Sequence, residues 1–215
     1  MLVRNGERQF HLGLRYRGDP AEQTLHLGWH RSLQSERLEE MLRAGTGATT
    51  SRGAVIAFSI DPAVDELLSG LVERIADLYA DDATPIAYGF GDADATFDPI
   101  TGALTDPDGA FTCATFVLAV LRSVGVVLID ADRFRPPTDE DLRWQQEIGE
   151  KLLDWIARRF HGDLVRATQR VADDLGSLRH RPTDVAAAAL LGPEAWPAGA
   201  DAITSHAAAL EARLT

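Results

Sequence analysis

Two short stretches near the N-terminus alternate between apolar and polar residues. Residues 8–16 place Phe10, Leu12 and Leu14 on one parity, with His11 and Gly13 on the other. Residues 24–30 place Leu25, Leu27 and Trp29 opposite His26, Gly28 and His30. The turn-rich stretch at 17–23 separates them, so the pattern predicts an antiparallel hairpin with its histidines on the less apolar face. Residues 35–43 predict a short helix capped by Ser35 and closed by Gly45 and Gly47, and residues 54–60 predict an apolar strand. Asp61-Pro62 then opens a helix carrying Val64, Leu67, Leu68, Leu71, Val72 and Ile75 at helical spacing and ending near Asp81. Residues 85–110 are rich in Gly, Asp and Pro and predict a long loop, which at this length is either functional or disordered. The run from Cys113 to Val124 is apolar nearly all round and predicts a buried helix stopped by Gly125. A helix at 138–160 with an apolar stripe of Leu142, Ile148, Leu152, Leu153, Ile156 and Phe160 follows, and further helices are broken by Pro182, Pro193 and Pro197.

These patterns divide the 215 residues into a core, 1–135, and a helical C-terminal extension, 136–215. Apolar content of 45% is ordinary for a globular chain. No run approaches the ~18 apolar residues of a membrane span. The N-terminus lacks the apolar segment and small-residue cleavage site of a signal peptide, so the expected location is the cytoplasm, with leaderless export as the alternative. A formal net charge of −12 argues against nucleic acid or an anionic membrane as partner. Little lysine beside much alanine and arginine marks a GC-rich, bacterial coding sequence.

Cys113 is the only cysteine, which excludes an internal disulfide and fits a reducing compartment. It falls at a predicted helix N-terminus, where unpaired N–H groups and the helix dipole favour a thiolate. A lone cysteine with histidines elsewhere is a candidate nucleophile and base, although a free cysteine is also commonly an inert core residue. His11, His26 and His30 could hold zinc, but no H-x-E or H-E-x-x-H pattern accompanies them, so no metal or other cofactor is expected. Asp92, Asp94, Asp98, Asp106 and Asp108 lack calcium-loop spacing and are expected to be solvated. Trp144, Trp155 and Trp196 are expected to anchor packing, and His161, His180 and His206 to lie at the surface.

His11-Leu-Gly-Leu-Arg-Tyr followed by Leu25-His26-Leu resembles the histidine hairpin of NlpC/P60-type papain-like cysteine hydrolases. The cysteine segment follows the hairpin here, which resembles the circularly permuted branch that includes the lecithin:retinol acyltransferase-like proteins. Thr112-Cys113-Ala114-Thr115-Phe116-Val117 is similar in outline to their N-C-E-H-F-V segment, with threonine in place of the residue before the cysteine. The resemblance covers roughly residues 8–125. It implies an α+β, papain-like antiparallel sheet packed on the cysteine-bearing helix, with the helical extension added.

It further implies Cys113 as nucleophile of a hydrolase (thiol protease or amidase) or acyltransferase, His11 as base and His26 as the orienting third residue, with His30 as an alternative. His30 could equally be a partly exposed strand-end residue. Tyr88, in Ile86-Ala87-Tyr88-Gly89, is similar to the tyrosine that borders the family's oxyanion site. The implied substrates are peptides, isopeptides or acyl-bearing molecules attacked at an amide or ester. The alternative is a catalytically silent papain-like scaffold whose C-terminal helices bind a protein partner, in a toxin–antitoxin or phage-defence setting.

Overall fold

The structure, a computed structural model, describes residues 1–5, 9–17, 21–44, 53–57, 59–79, 85–91 and 95–214. It is α+β, with seven α-helices and short, mostly antiparallel strands among the described residues. The first alternating stretch is not one strand. It divides at Gly13 into β2 (Gln9–Leu12) and β3 (Leu14–Arg17). The first half pairs with β1 (Leu2–Asn5), opposing Leu2 to Leu12 and Val3 to His11. The second pairs with β4 (Glu22–Trp29), opposing Leu14 to Leu25. Gly13 joins the two ladders: its N–H donates to the Met1 carbonyl at 3.0 Å and its own carbonyl accepts from the Met1 amine at 2.6 Å. Glycine is needed there, because a Cβ would lie 2.7 Å from Thr24 Cγ2 and 3.0 Å from His26 Cβ.

Ser35 does not cap a helix. It lies in β5 (Ser32–Arg37), which pairs with β4, and its hydroxyl bonds to Tyr16. The helix α1 begins later (Leu38–Ala44), and Gly45 and Gly47 lie outside the described residues. The predicted strand at 54–60 reduces to the two residues of β6 (Gly53–Ala54), paired with β1. β4 is buried on both faces. Leu25 and Leu27 join the main core, while Thr24 and His26 share the face where Thr24 Oγ1 meets Met1 Sδ, and Met1 packs with Leu38 and Met41 of α1.

The helix α2 (Pro62–Leu78) is capped by Asp61, whose carboxylate accepts from the Ala63 N–H. The stretch 85–110 carries more order than a loop. β7 (Ala87–Tyr88) runs parallel to β8 (Ala110–Phe111), Phe97 bridges to Leu104, and Phe90 and Phe97 are buried. Asp98 closes a turn by accepting from the Ile100 and Thr101 N–H groups. Asp92 and Asp94 lie outside the described residues.

The helix α3 (Cys113–Ser123) is buried from Cys113 through Leu121, and Gly125 follows it at φ +80°. It packs on β2 and β4. Next come α4 (Asp139–Arg159), α5 (Leu164–Asp174), α6 (Pro182–Leu191) and α7 (Ala200–Leu214). These helices complete the core: α6 packs on β1, β2 and α3, and one hydrophobic cluster runs from Leu2 to Leu214. Ile148, Leu152 and Ile156 carry the predicted stripe of α4 into it. No helix among the described residues is long and apolar enough to cross a membrane.

Candidate active site

Cys113 is the first residue of α3, and the local sequence explains why the helix starts there. Thr112 is extended and acts as N-cap, accepting from the Thr115 N–H at 3.2 Å. Thr115 returns the bond, its hydroxyl accepting from the Thr112 N–H at 2.8 Å. Thr-Cys-Ala-Thr is therefore a capping box with the cysteine at the first helical position. Backbone N–H groups of Leu12, Ala114 and Cys113 itself favour a thiolate there, but desolvation outweighs them and pushes the thiol up to about 11. The helix-terminus expectation of an activated thiolate is overturned by burial: the resting group is a neutral thiol.

His11 and Cys113 line one cavity of about 390 Å3, together with Tyr88. The three residues come from three elements. Their assembly depends on α3 packing against β2, and on the parallel pairing of Tyr88 with Phe111, two residues before the cysteine. Tyr88 is buried against Trp29, with ring centroids 4.6 Å apart. Burial, then the nearby Cys113, raises its phenol well above the usual tyrosine value, so it stands as a neutral O–H donor.

His26 lies behind His11. His11 Nε2 and His26 Nδ1 are 2.7 Å apart, with the rings edge to face at 84°. Gly13 leaves His26 its place, since a Cβ there would lie 3.0 Å from His26 Cβ. Burial holds both imidazoles neutral, lowering His11 to about 3, helped by its neighbour His26, and His26 to about 4. Among the described residues His26 Nε2 is buried without a hydrogen-bond partner, and the nearest carboxylate oxygen, Glu36 Oε2, is 3.8 Å away. Glu36 is absent from the sequence expectations. Strand register is the signal that carries it, because β5 sets Gln34 opposite His26 and Glu36 two residues along on the same face.

His30 does not join this pair. It lies just past β4 and is buried, not partly exposed at a strand end. Its Nδ1 accepts from the Tyr88 N–H at 3.3 Å, and its Nε2 faces Asp163 Oδ2 at 3.4 Å. The imidazole thus fixes β7, and with it Tyr88, against the turn after β4. His180 is likewise buried, contrary to the surface expectation, with its ring 5.0 Å from that of Phe134.

The cavity is also lined by Glu140 and Trp144 of α4 and by Arg179 and Arg181 of the connection between α5 and α6. Behind the arginines sits Asp141, fully buried, which caps α4 through Thr138. Its Oδ1 accepts from Arg179 Nη1 at 3.1 Å and from Arg181 Nη2 at 2.9 Å. Its Oδ2 accepts from Arg135 Nη1 at 3.0 Å and from the Thr138 hydroxyl at 2.7 Å. Burial opposes its charge, yet Thr138 and Arg181 hold the carboxyl well below its ordinary value. Comparison with protein-family models, curated proteins and solved structures returned no match.

Proposed function

We propose that the protein is a cysteine-dependent hydrolase or acyltransferase of papain-like, circularly permuted NlpC/P60 type, acting on an amide or ester of a peptide or other acyl-bearing substrate. The observation that carries this is the 2.7 Å contact of His11 with His26 beside a cavity that His11 shares with Cys113. With Nε2 committed to His26, Nδ1 is the nitrogen of His11 left to take a proton. Because the thiol rests neutral, the proton moves to His11 as sulfur attacks, in general-base fashion rather than from a preformed ion pair. The carbonyl carbon gains an S–C bond and its oxygen becomes an oxyanion, for which the Cys113 N–H, in the first helical turn, and the Tyr88 phenol are the donors at hand. Collapse expels the amine or alcohol with the proton from His11 and leaves a thioester. Water or a second nucleophile resolves it.

The burial of Cys113 favours one competing reading, a catalytically silent scaffold whose C-terminal helices bind a protein partner. Alkylation of the native protein by iodoacetamide, followed by intact mass, separates the two. A catalytic thiol reacts while the protein stays folded, at a rate that climbs with pH through the alkaline range and falls in His11→Ala. A scaffold thiol reacts only in denaturant, and that result would sink the enzyme reading.

A further inference from the structure

We propose that Arg179 and Arg181 form an oxyanion-binding subsite in the cavity that holds Cys113, and that the substrate carries a carboxylate or phosphate group to fill it. The catalytic meaning of this subsite rests on the cysteine reading above, but the binding chemistry does not.

Both arginines line the cavity that Cys113 and His11 also line. Each is held from behind by the same buried oxygen. Asp141 Oδ1 takes one N–H from Arg179 and two from Arg181. Each fork has five donors, so each retains N–H groups that no acceptor takes among the described residues. The Arg179 plane is further fixed by stacking over Trp144, 3.9 Å from the ring centroid. Two planar forks held in place and turned partly to a cavity are suited to a planar or tetrahedral oxyanion.

Arg135, Arg179 and Arg181 share two buried carboxylates, Asp141 and Asp184, and two further carboxylates line the cavity, Glu140 and Glu211, of which Glu211 accepts from the Thr183 hydroxyl at 2.8 Å. Glu140 approaches Arg181 Nη2 to 3.7 Å, but it is 72% exposed and so makes only a weak, screened pair. An anionic ligand group would displace it at little cost. The neutral thiol does not compete for the arginines.

The test uses two haloacetyl reagents of nearly equal size on the intact chain, whose single cysteine makes labelling stoichiometry plain. Iodoacetate is anionic and ordinarily slower with thiolates than neutral iodoacetamide. The subsite predicts that Cys113 reverses or levels this order, and that Arg179→Gln lowers the iodoacetate-to-iodoacetamide rate ratio roughly tenfold. Arg179→Lys, which keeps the charge and loses the fork, falls between. A cooperative melt for each variant excludes unfolding as the cause.

A second measurement is independent of the thiol. Glutarate, inorganic phosphate and neutral glutaramide are titrated against tryptophan fluorescence, which Trp144 beneath Arg179 should report. Saturable binding of glutarate assigns a carboxylate-bearing substrate, and of phosphate alone a phosphoryl-bearing one, provided Arg179→Gln abolishes either. An unchanged rate ratio with no saturable binding of either anion overturns the proposal. Labelling by neither reagent alongside glutarate binding would refute the cysteine mechanism and leave the subsite standing.

Discussion

His11 Nε2 and His26 Nδ1 face each other at 2.7 Å, and one proton lies between them. Its ownership decides whether His11 can act as a base. Glu36 Oε2, 3.8 Å from His26 Nε2, favours a proton on that nitrogen. His26 Nδ1 is then an acceptor, His11 carries its proton on Nε2, and His11 Nδ1 keeps a lone pair. The reverse arrangement would leave His11 protonated at Nδ1 and unable to deprotonate the thiol.

Histidine nitrogen NMR shifts at neutral pH should therefore show the Nε2–H tautomer at both His11 and His26. Glu36→Gln should mix the tautomers of His26 and slow alkylation of Cys113 by a few-fold. On a turned-over substrate, Cys113→Ala and His11→Ala should abolish activity, while His26→Ala should leave a remnant, because orienting residues contribute less than the nucleophile. An Nδ1–H tautomer at His11 would refute the relay.

Burial of the same two imidazoles sets a pH dependence of stability. Their folded-state values, about 3 and about 4, lie below the unfolded value of 6.5. As pH falls below 6.5 the unfolded chain binds protons that the folded chain refuses, so stability is lost as pH falls and is retained above 6.5. At 1.36 kcal/mol per pKa unit the loss by pH 4 is on the order of 3 kcal/mol for each histidine. Urea titrations between pH 7 and pH 4 should show this slope, and His26→Gln should reduce it by about one proton. An equal slope in that variant would show that other groups carry the acid sensitivity.

Gly13 sits at the joint between the two ladders and packs beside His26. Gly13→Ala places a methyl 2.7 Å from Thr24 Cγ2 and 3.0 Å from His26 Cβ, against β4, which is buried on both faces. Overpacking of this kind costs about 1–3 kcal/mol. The variant should fold with a lower melting temperature and lose the coupling between His11 and His26 in the NMR titration. Unaltered histidine shifts would show that the strand yields without moving His26.

The elements of greatest length were legible in the sequence. The cysteine helix, the Asp61-capped helix and α4 follow from their apolar spacing and their caps, because a helix carries its periodicity over many residues. The strands were less so. Residues 8–16 alternate without a break, and only tertiary packing divides them at Gly13. Ser35 satisfies an N-cap pattern, yet cross-strand pairing with Leu25 holds it in β5. The motifs single out His11, Cys113 and Tyr88, which line one cavity, and His26, which contacts His11. The state of Cys113 did not, because burial depends on the helices that cover the site. Arg179 and Arg181 carry no local signal at all: their meaning comes from Asp141, about forty residues upstream, and from a cavity wall that no short window contains.

The C-terminal helices are the last test of how the site is built. Truncation after Asp132 removes α4, α5, α6 and α7. It strips α6 from β1, β2 and α3, and it removes the cavity lining that includes Trp144, Arg179 and Arg181. Ile148, Leu152, Ile156 and Val185 are all buried on the segment removed, and the core side chains they cover would be left in water. Each large apolar side chain so affected is worth roughly 1.5–3 kcal/mol, and a handful of them matches the ~5–15 kcal/mol stability of a whole domain. The fragment 1–132 should therefore be insoluble or molten, with no cooperative melt and rapid alkylation of Cys113 at any pH where free thiols react. A soluble, cooperatively melting 1–132 fragment would show that the C-terminal helices are a separate module, and it would move the balance toward the partner-binding scaffold.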